Sequence, residues 1–137
     1  MTIHEIDALL RDQFPRAHAF ATIVSVTPEE LIARVPFRAE FVRPGGTISG
    51  PTMMTAADTT PFFHLLAVYG PVTHAVTSQL SIHFLHKPAP VDLYARTRFL
   101  RRSKRQAVCG VELRCDGADT LVAHATVTYA LPRQPSE

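Results

Sequence analysis

The residue best placed to do chemistry is Asp58, the one carboxylate in the run PTMMTAADTTPFFHLLAVYG, whose other members are apolar, small, hydroxyl-bearing or, once, histidine. An ionised carboxylate among apolar residues is costly unless it is paired or partly solvated, so a group kept there is a functional candidate. The bland alternative is that Asp58 bonds a nearby hydroxyl, Thr55 or Thr59, and merely specifies packing. Apolar surroundings favour the neutral form of a carboxyl group, which suits a general base. The same group could instead attack a carbonyl and form an anhydride, and residue types alone do not choose between the two.

Eight residues earlier stands Gly50. A helix that begins there leaves its first N–H groups unpaired, and its dipole favours developing negative charge, which is what an oxyanion hole requires. Eight helical residues rise about 12 Å, too far for one subunit to hold both groups against the same carbonyl. Either the helix starts later and the loop folds back, or the site is shared between two chains; a dimer is the simpler expectation.

Other chemistries find less support. Seven histidines are present, but His83 and His86 have odd spacing on an expected strand and face opposite ways, and the rest are scattered, so no metal site is expected. His64 lies six residues past Asp58, more than about 100° off its helical face. Neither a GxSxG elbow nor a phosphate loop occurs, and no cofactor is expected. Arg96, Arg98, Arg101, Arg102, Lys104 and Arg105 bunch within ten positions. They read as a solvated hairpin turn or as contacts to a phosphate-bearing ligand. The net charge of +2 is mild, and no nucleic-acid partner is expected.

Residues 2 to 13 read as an amphipathic helix, with Thr2 and Glu5 as a capping box and Pro15 as its end. Residues 18 to 26 and 30 to 37 read as a hairpin of two strands about the turn residues TPEE. The helix over roughly 51 to 69 starts with proline in its first turn and stops at Gly70 and Pro71. Its apolar residues cover nearly every side, the pattern of a helix buried all round. Pro61 inside it predicts a kink that leaves the Ala57 carbonyl unpaired beside Asp58. Residues 72 to 87, 92 to 101, 106 to 115 and 120 to 131 then alternate as four strands in meander, with Thr77, Gln79, Ser81 and His83 on one face of the first.

This order lacks the alternation of a doubly wound fold. It predicts an α+β chain, one domain over 1–137, in which a curved antiparallel sheet of about six strands wraps the 51–69 helix and small residues such as Ala123 and Ala125 admit it. With 46% apolar and 19% charged residues the chain has the composition of a compact domain. No run reaches the roughly 18 apolar residues that span a bilayer, and the start lacks a basic region followed by an apolar one. No membrane partner is expected, and the location expected is cytoplasmic. Cys109 and Cys115, about 20 Å apart on one strand, read as buried free thiols, which fits a reducing compartment.

The segment GGTISGPTMMTAADTT, followed by AVTSQLSIHFLHKPAP and LVAHATVTYAL, resembles the hotdog-fold acyl-CoA thioesterases of the PaaI-like group, over roughly residues 40 to 131. The resemblance implies a hotdog fold, a homodimer often paired into a tetramer, and hydrolysis of an acyl-CoA substrate. It assigns Asp58 to activating water or attacking the thioester, the Gly50 amide to the oxyanion, and Thr77 to placing the water. The family usually has His-Gly where this chain has Ser49-Gly50, and many members have Asn where it has Arg43. Ser49 can still cap or donate, and Arg43 brings a permanent charge suited to a carboxylated or phosphorylated substrate. Met54 and Phe62 are expected to line a pocket for a medium-chain or aromatic acyl group, and Arg101, Arg102 and Arg105 to lie near the CoA phosphates. The alternative is a non-catalytic acyl-CoA or lipid-binding protein in which Arg43 and Ser49 replace working residues.

Overall fold

A computed structural model describes residues 1–133. The elements run α1 (Ile3–Gln13), α2 (Pro15–Phe20), β1 (Thr22–Val26), β2 (Glu30–Val35), a short 3-10 turn (Ala39–Phe41), α3 (Gly50–Tyr69), β3 (Val76–Phe84), β4 (Leu93–Arg102), β5 (Gln106–Cys115) and β6 (Leu121–Ala130). The expected capping box closes α1: Thr2 accepts from the Glu5 amide, and Glu5 accepts in return from the Thr2 amide. Pro15 does more than end α1. It begins α2, because a proline in the first helical turn gives up an N–H that would be unpaired anyway. Residues 18 to 20 are therefore helical, and the first strand starts only at Thr22.

The six strands form one antiparallel sheet in the order β1-β2-β4-β5-β6-β3. The four C-terminal strands are thus not a simple meander. Strands β4, β5 and β6 are, but β3 pairs with β6 at the far edge, and β4 joins β2 in the interior. Three strand spacings separate β3 from β4, about 14 Å. The prolines in the 85–92 segment, Pro88 and Pro90, belong to this crossing and not to a tight turn.

Helix α3 packs against all six strands. The concave face it meets is made of small and branched residues, among them Ala33, Ala95, Ala107, Val111, Ala123, Ala125 and Val127, all buried, as are Ala56 and Ala57 of the helix. Alanines on both sides remove side-chain bulk from the contact, so the helix settles into the curve of the sheet. On its opposite side lie Ile6 and Leu10 of α1, also buried.

Burial of α3 is not all round. Pro51, Met54 and Thr55 are exposed, and Asp58, Thr59 and Phe62 half-buried. These positions recur at three- and four-residue spacing and so define one open flank. The apolar pattern could not reveal it, because Met54 and Phe62 on that flank are as apolar as the core. Pro61 does not break the helix, which is continuous from Gly50 to Tyr69.

Cys109 and Cys115 are buried free thiols, and burial pushes the Cys109 thiol up to about 12. His64 is fully buried, stacked on Phe99 with ring centroids 4.3 Å apart. Its Nε2 lies 2.9 Å from the Thr27 carbonyl and its Nδ1 3.3 Å from the Thr97 hydroxyl, the pattern of a neutral imidazole that donates once and accepts once. Burial holds its pKa below the ordinary 6.5, against the hydrogen bond to Thr27, which favours the charged form.

The unfolded chain takes up a proton on this histidine near pH 6.5 while the folded chain resists it. The stability due to neutral His64 is therefore complete above that pH and falls as the pH drops through 6.5 towards the lower folded value. Urea unfolding between pH 8 and 5 is expected to show this loss, and a shallower one in His64→Gln. Equal slopes in the two proteins would contradict it.

Candidate functional site

The site is built on the start and the open flank of α3. Ser49 caps the helix: its Oγ accepts from the Thr52 amide at 3.3 Å and lies 2.8 Å from the Thr52 hydroxyl. The Met53 amide donates to the Ser49 carbonyl at 3.2 Å, and Pro51 has no N–H to offer. Among the described residues this leaves the Gly50 amide as the one unpaired donor of the first turn. That is the arrangement an oxyanion needs, with the helix dipole behind it. Gly50 does not owe its place to backbone strain, since its φ is not positive. A Cβ there would make ordinary contact, 3.5 Å, with the Phe84 ring.

Gly50 opens into a cavity of about 330 Å³ that is also lined by Arg43, Met53, Phe84, His86 and Lys87. Arg43 and Lys87 are exposed and have no ion-pair partner among the described residues. The cavity thus sets two cations beside the free amide.

Two turns along α3, Asp58 faces the open flank. The Thr77 hydroxyl donates to its Oδ1 at 2.6 Å. A bulge brings Thr77 there. Strict alternation would group Thr77 with Gln79, Ser81 and His83, but the register slips between Thr77 and Gln79, so Thr77 opposes Tyr129 and Leu80 opposes Val127. Opposed residues share a face, and the extra residue, Ser78, turns Thr77 towards the helix. Met54, Thr55, Asp58, Thr77 and Leu80 line a shallow cavity of about 370 Å³.

Sequence reasoning missed Tyr129, which falls within the expected 120–131 strand and was given no role. Its hydroxyl donates to the main-chain carbonyl of Asp58 and lies 3.5 Å from Oδ1. Burial, first, and the neighbouring Asp58 charge, second, push the phenol well above its ordinary pKa, so it stays protonated.

A larger apolar groove of about 540 Å³ adjoins this site between α3 and the α1–α2 corner, lined by Phe14, Pro15, Ala17, Phe20, Thr55 and Thr59. Phe62 packs edge-on against Phe14 at 5.1 Å, and Met54 is 43% exposed at the mouth of the Asp58 cavity. The hairpin arginines are placed elsewhere. Arg102 lies over the Phe99 ring, 5.1 Å from its centroid, and the adjoining turn meets Tyr69, whose hydroxyl donates to the Ser103 carbonyl. Tyr69 ends α3, so within one chain Arg101, Arg102 and Arg105 sit at the opposite end of the helix from Gly50. Arg96 of the same cluster is held in ion pairs by Glu30 and Glu112. Among the described residues no cluster of histidine, cysteine and carboxylates could hold a metal ion.

A six-stranded antiparallel sheet curled about one long central helix is the hotdog arrangement. The chain belongs to the thioesterase superfamily, whose family model matches residues 45–122, and it is a thioester hydrolase. It is similar, at 31% identity over 93% of this chain and 90% of the other, to the crystal structure of a candidate thioesterase from Silicibacter sp. TM1040, with a TM-score of 0.83. Its fold is shared with thioesterase superfamily member 2 of Mus musculus, at 20% identity over 96% and 100% of the two chains and a TM-score of 0.81. A thioesterase of Haemophilus influenzae has the same fold, at 14% identity over 97% and 92% and a TM-score of 0.82. No curated protein matches the sequence. Among the described residues no helix is long and apolar enough to cross a membrane.

The cap makes a direct prediction. Ser49→Ala removes the acceptor for the Thr52 amide and is expected to cost about 1 kcal/mol of stability. Denaturant melts with an unchanged midpoint would show that Ser49 does not cap α3.

Proposed function

We propose that this chain is a PaaI-like acyl-CoA thioesterase that hydrolyses a medium-chain or aromatic acyl-CoA to the free acid and CoA. The observation that carries this reading is the single unpaired helix-start amide of Gly50, set eight residues before a carboxylate on an open flank. In the reaction, the Gly50 N–H receives the negative charge that develops on the thioester oxygen. Asp58 takes a proton from the attacking water, or attacks the carbonyl carbon itself, and CoA leaves as the thiol. Thr77 holds Oδ1 of Asp58 in place. The apolar groove beside Thr55 and Thr59 supports an acyl group of this class, with Met54 at the mouth of the neighbouring Asp58 cavity and Phe62 packed on the groove residue Phe14. Arg43 and Lys87 at the Gly50 end suit an anionic part of the substrate.

Because α3 is continuous from Gly50, the two groups stay about 12 Å apart on one chain, and the possibility that the helix starts later is removed. We therefore place the site between two protomers, Gly50 of one and Asp58 of the other. The β3 edge supports this pairing: it is an unpaired strand edge carrying Val76 and Phe84, 60% and 50% exposed, beside Leu85 and Met54, 48% and 43% exposed. Exposed apolar edges of this kind are usually covered by a partner. Two such edges related by a two-fold axis run antiparallel and bring the start of one α3 towards the middle of the other.

The test is release of free thiol from a panel of short, medium and aromatic acyl-CoAs. Asp58→Asn is expected to abolish turnover with folding intact. Gly50→Pro deletes the amide donor, and with the fold verified by circular dichroism its rate is expected to fall by about 10²–10³-fold. Mixed together, the two inactive variants should regain activity as hybrid dimers, since one site of each hybrid pairs an intact Gly50 with an intact Asp58. Absence of recovery in hybrids verified by mass would place both groups on one chain. Light scattering that gives a monomer would remove the shared site altogether.

A further inference from the structure

The proposed chemistry gives no task to Tyr129, a buried polar side chain in contact with Asp58. It is 3% exposed and lies on β6, opposite Thr77 of β3 on one side and Ala107 of β5 on the other. A phenol so enclosed cannot swing away from α3. Its hydroxyl makes two contacts to the same residue, donating to the main-chain carbonyl of Asp58 and lying 3.5 Å from Oδ1.

The contact falls where α3 needs support. Pro61 carries no N–H, so the Ala57 carbonyl lacks its usual partner four residues on, immediately before Asp58. The tyrosine anchors the next carbonyl to the sheet and fixes the backbone that bears the carboxylate. With Thr77 donating to Oδ1 at 2.6 Å and Tyr129 beside the same atom, one carboxylate oxygen is occupied. Oδ2 has no hydrogen-bond partner among the described residues.

We propose that Tyr129 is a positioning residue that, together with Thr77, ties down the backbone and Oδ1 of Asp58 so that the carboxylate acts through Oδ2. The inference rests on the thioesterase reading given above. In the hydrolysis, Oδ2 is the atom that takes the proton of the attacking water or forms the new bond to the carbonyl carbon. Tyr129 exchanges no proton with the substrate. The other titratable group packed on this side, the Cys109 thiol, remains protonated through any assay range because burial lifts it to about 12.

The decisive measurement is kcat/KM against pH for the native protein, for Y129F, and for the full-length chain carrying 3,5-difluorotyrosine at position 129. The one phenol proton is shared between the main-chain carbonyl and Oδ1 of Asp58, and loss of this bifurcated donor disfavours the charged carboxylate, so the acid limb of Y129F should move to higher pH. Its kcat should fall about tenfold, the worth of one hydrogen bond, with KM little changed. The fluorinated ring keeps its shape and donates more strongly, so its acid limb should move to lower pH. An acid limb that stands still in folded Y129F overturns the proposal, whatever happens to kcat, because a tyrosine that merely packs would not move it. If Y129F fails to fold, the fluorinated protein decides by the same criterion. No turnover by the native chain would remove the thioesterase reading and this role with it, whereas native turnover with an unmoved limb removes the role of Tyr129 alone.

Discussion

The packing of α3 into the concave face of the sheet fixes what the rest of the molecule can do. The buried alanines on both sides of the contact, Ala56 and Ala57 on the helix and Ala95, Ala107, Ala123 and Ala125 on the sheet, let the backbones come close. Once the helix is seated, its rotation is set, because turning it would drive Phe63 and Leu66 out of the core or bring Asp58 into it. The costs of those two events, roughly 2 kcal/mol for each large apolar side chain exposed and more for an unpaired buried charge, point the same way. The open flank is thus a consequence of core packing, and Asp58 stands on it because no other side of the helix will accept a charge.

Two local irregularities then turn a packed helix into a site. The bulge in β3 exchanges the faces of the strand at Ser78, and so Thr77 meets Asp58 from the position opposite Tyr129 that an unbroken register would give to Ser78. Pro61 interrupts the hydrogen-bond ladder of α3 next to the carboxylate, and Tyr129 supplies a donor from the sheet at that point. Neither feature stabilises its own element. Both make sense in relation to Asp58, in keeping with the tendency of functional sites to break local rules that the rest of the fold obeys.

Much of this was legible in the sequence. The long helix between proline and glycine signals, the alternating strands β4, β5 and β6, the capping box at Thr2 and Glu5, and the small residues of the last strand follow from periodicities and caps that act over a few residues. The pairing partner of β3 did not follow, because alternation reports the faces of a strand and not its neighbours. The face of Thr77 was assigned wrongly from its alternation with Gln79, since one inserted residue inverts the pattern and leaves no mark in composition. Tyr129 was hidden for a related reason. It lies 71 residues from Asp58, and as an aromatic on the apolar face of a strand it looks like any other core residue.

The same geometry constrains where the chemistry can occur. A rigid helix holds the Gly50 amide and the Asp58 carboxylate about two turns apart, and no side-chain rotation closes that gap, since the amide belongs to the backbone. A loop in place of the first two turns would have allowed one chain to fold the donor back onto the acid, but it would also have lost the alignment of dipoles that makes the Gly50 amide a good hydrogen-bond donor to an anion. Keeping the helix keeps the electrostatics, and under the proposed reading it would leave assembly of the site to a partner. On the proposed reading the exposed apolar edge at Val76 and Phe84 would belong to the catalytic apparatus, as the surface through which a second chain would supply the missing half.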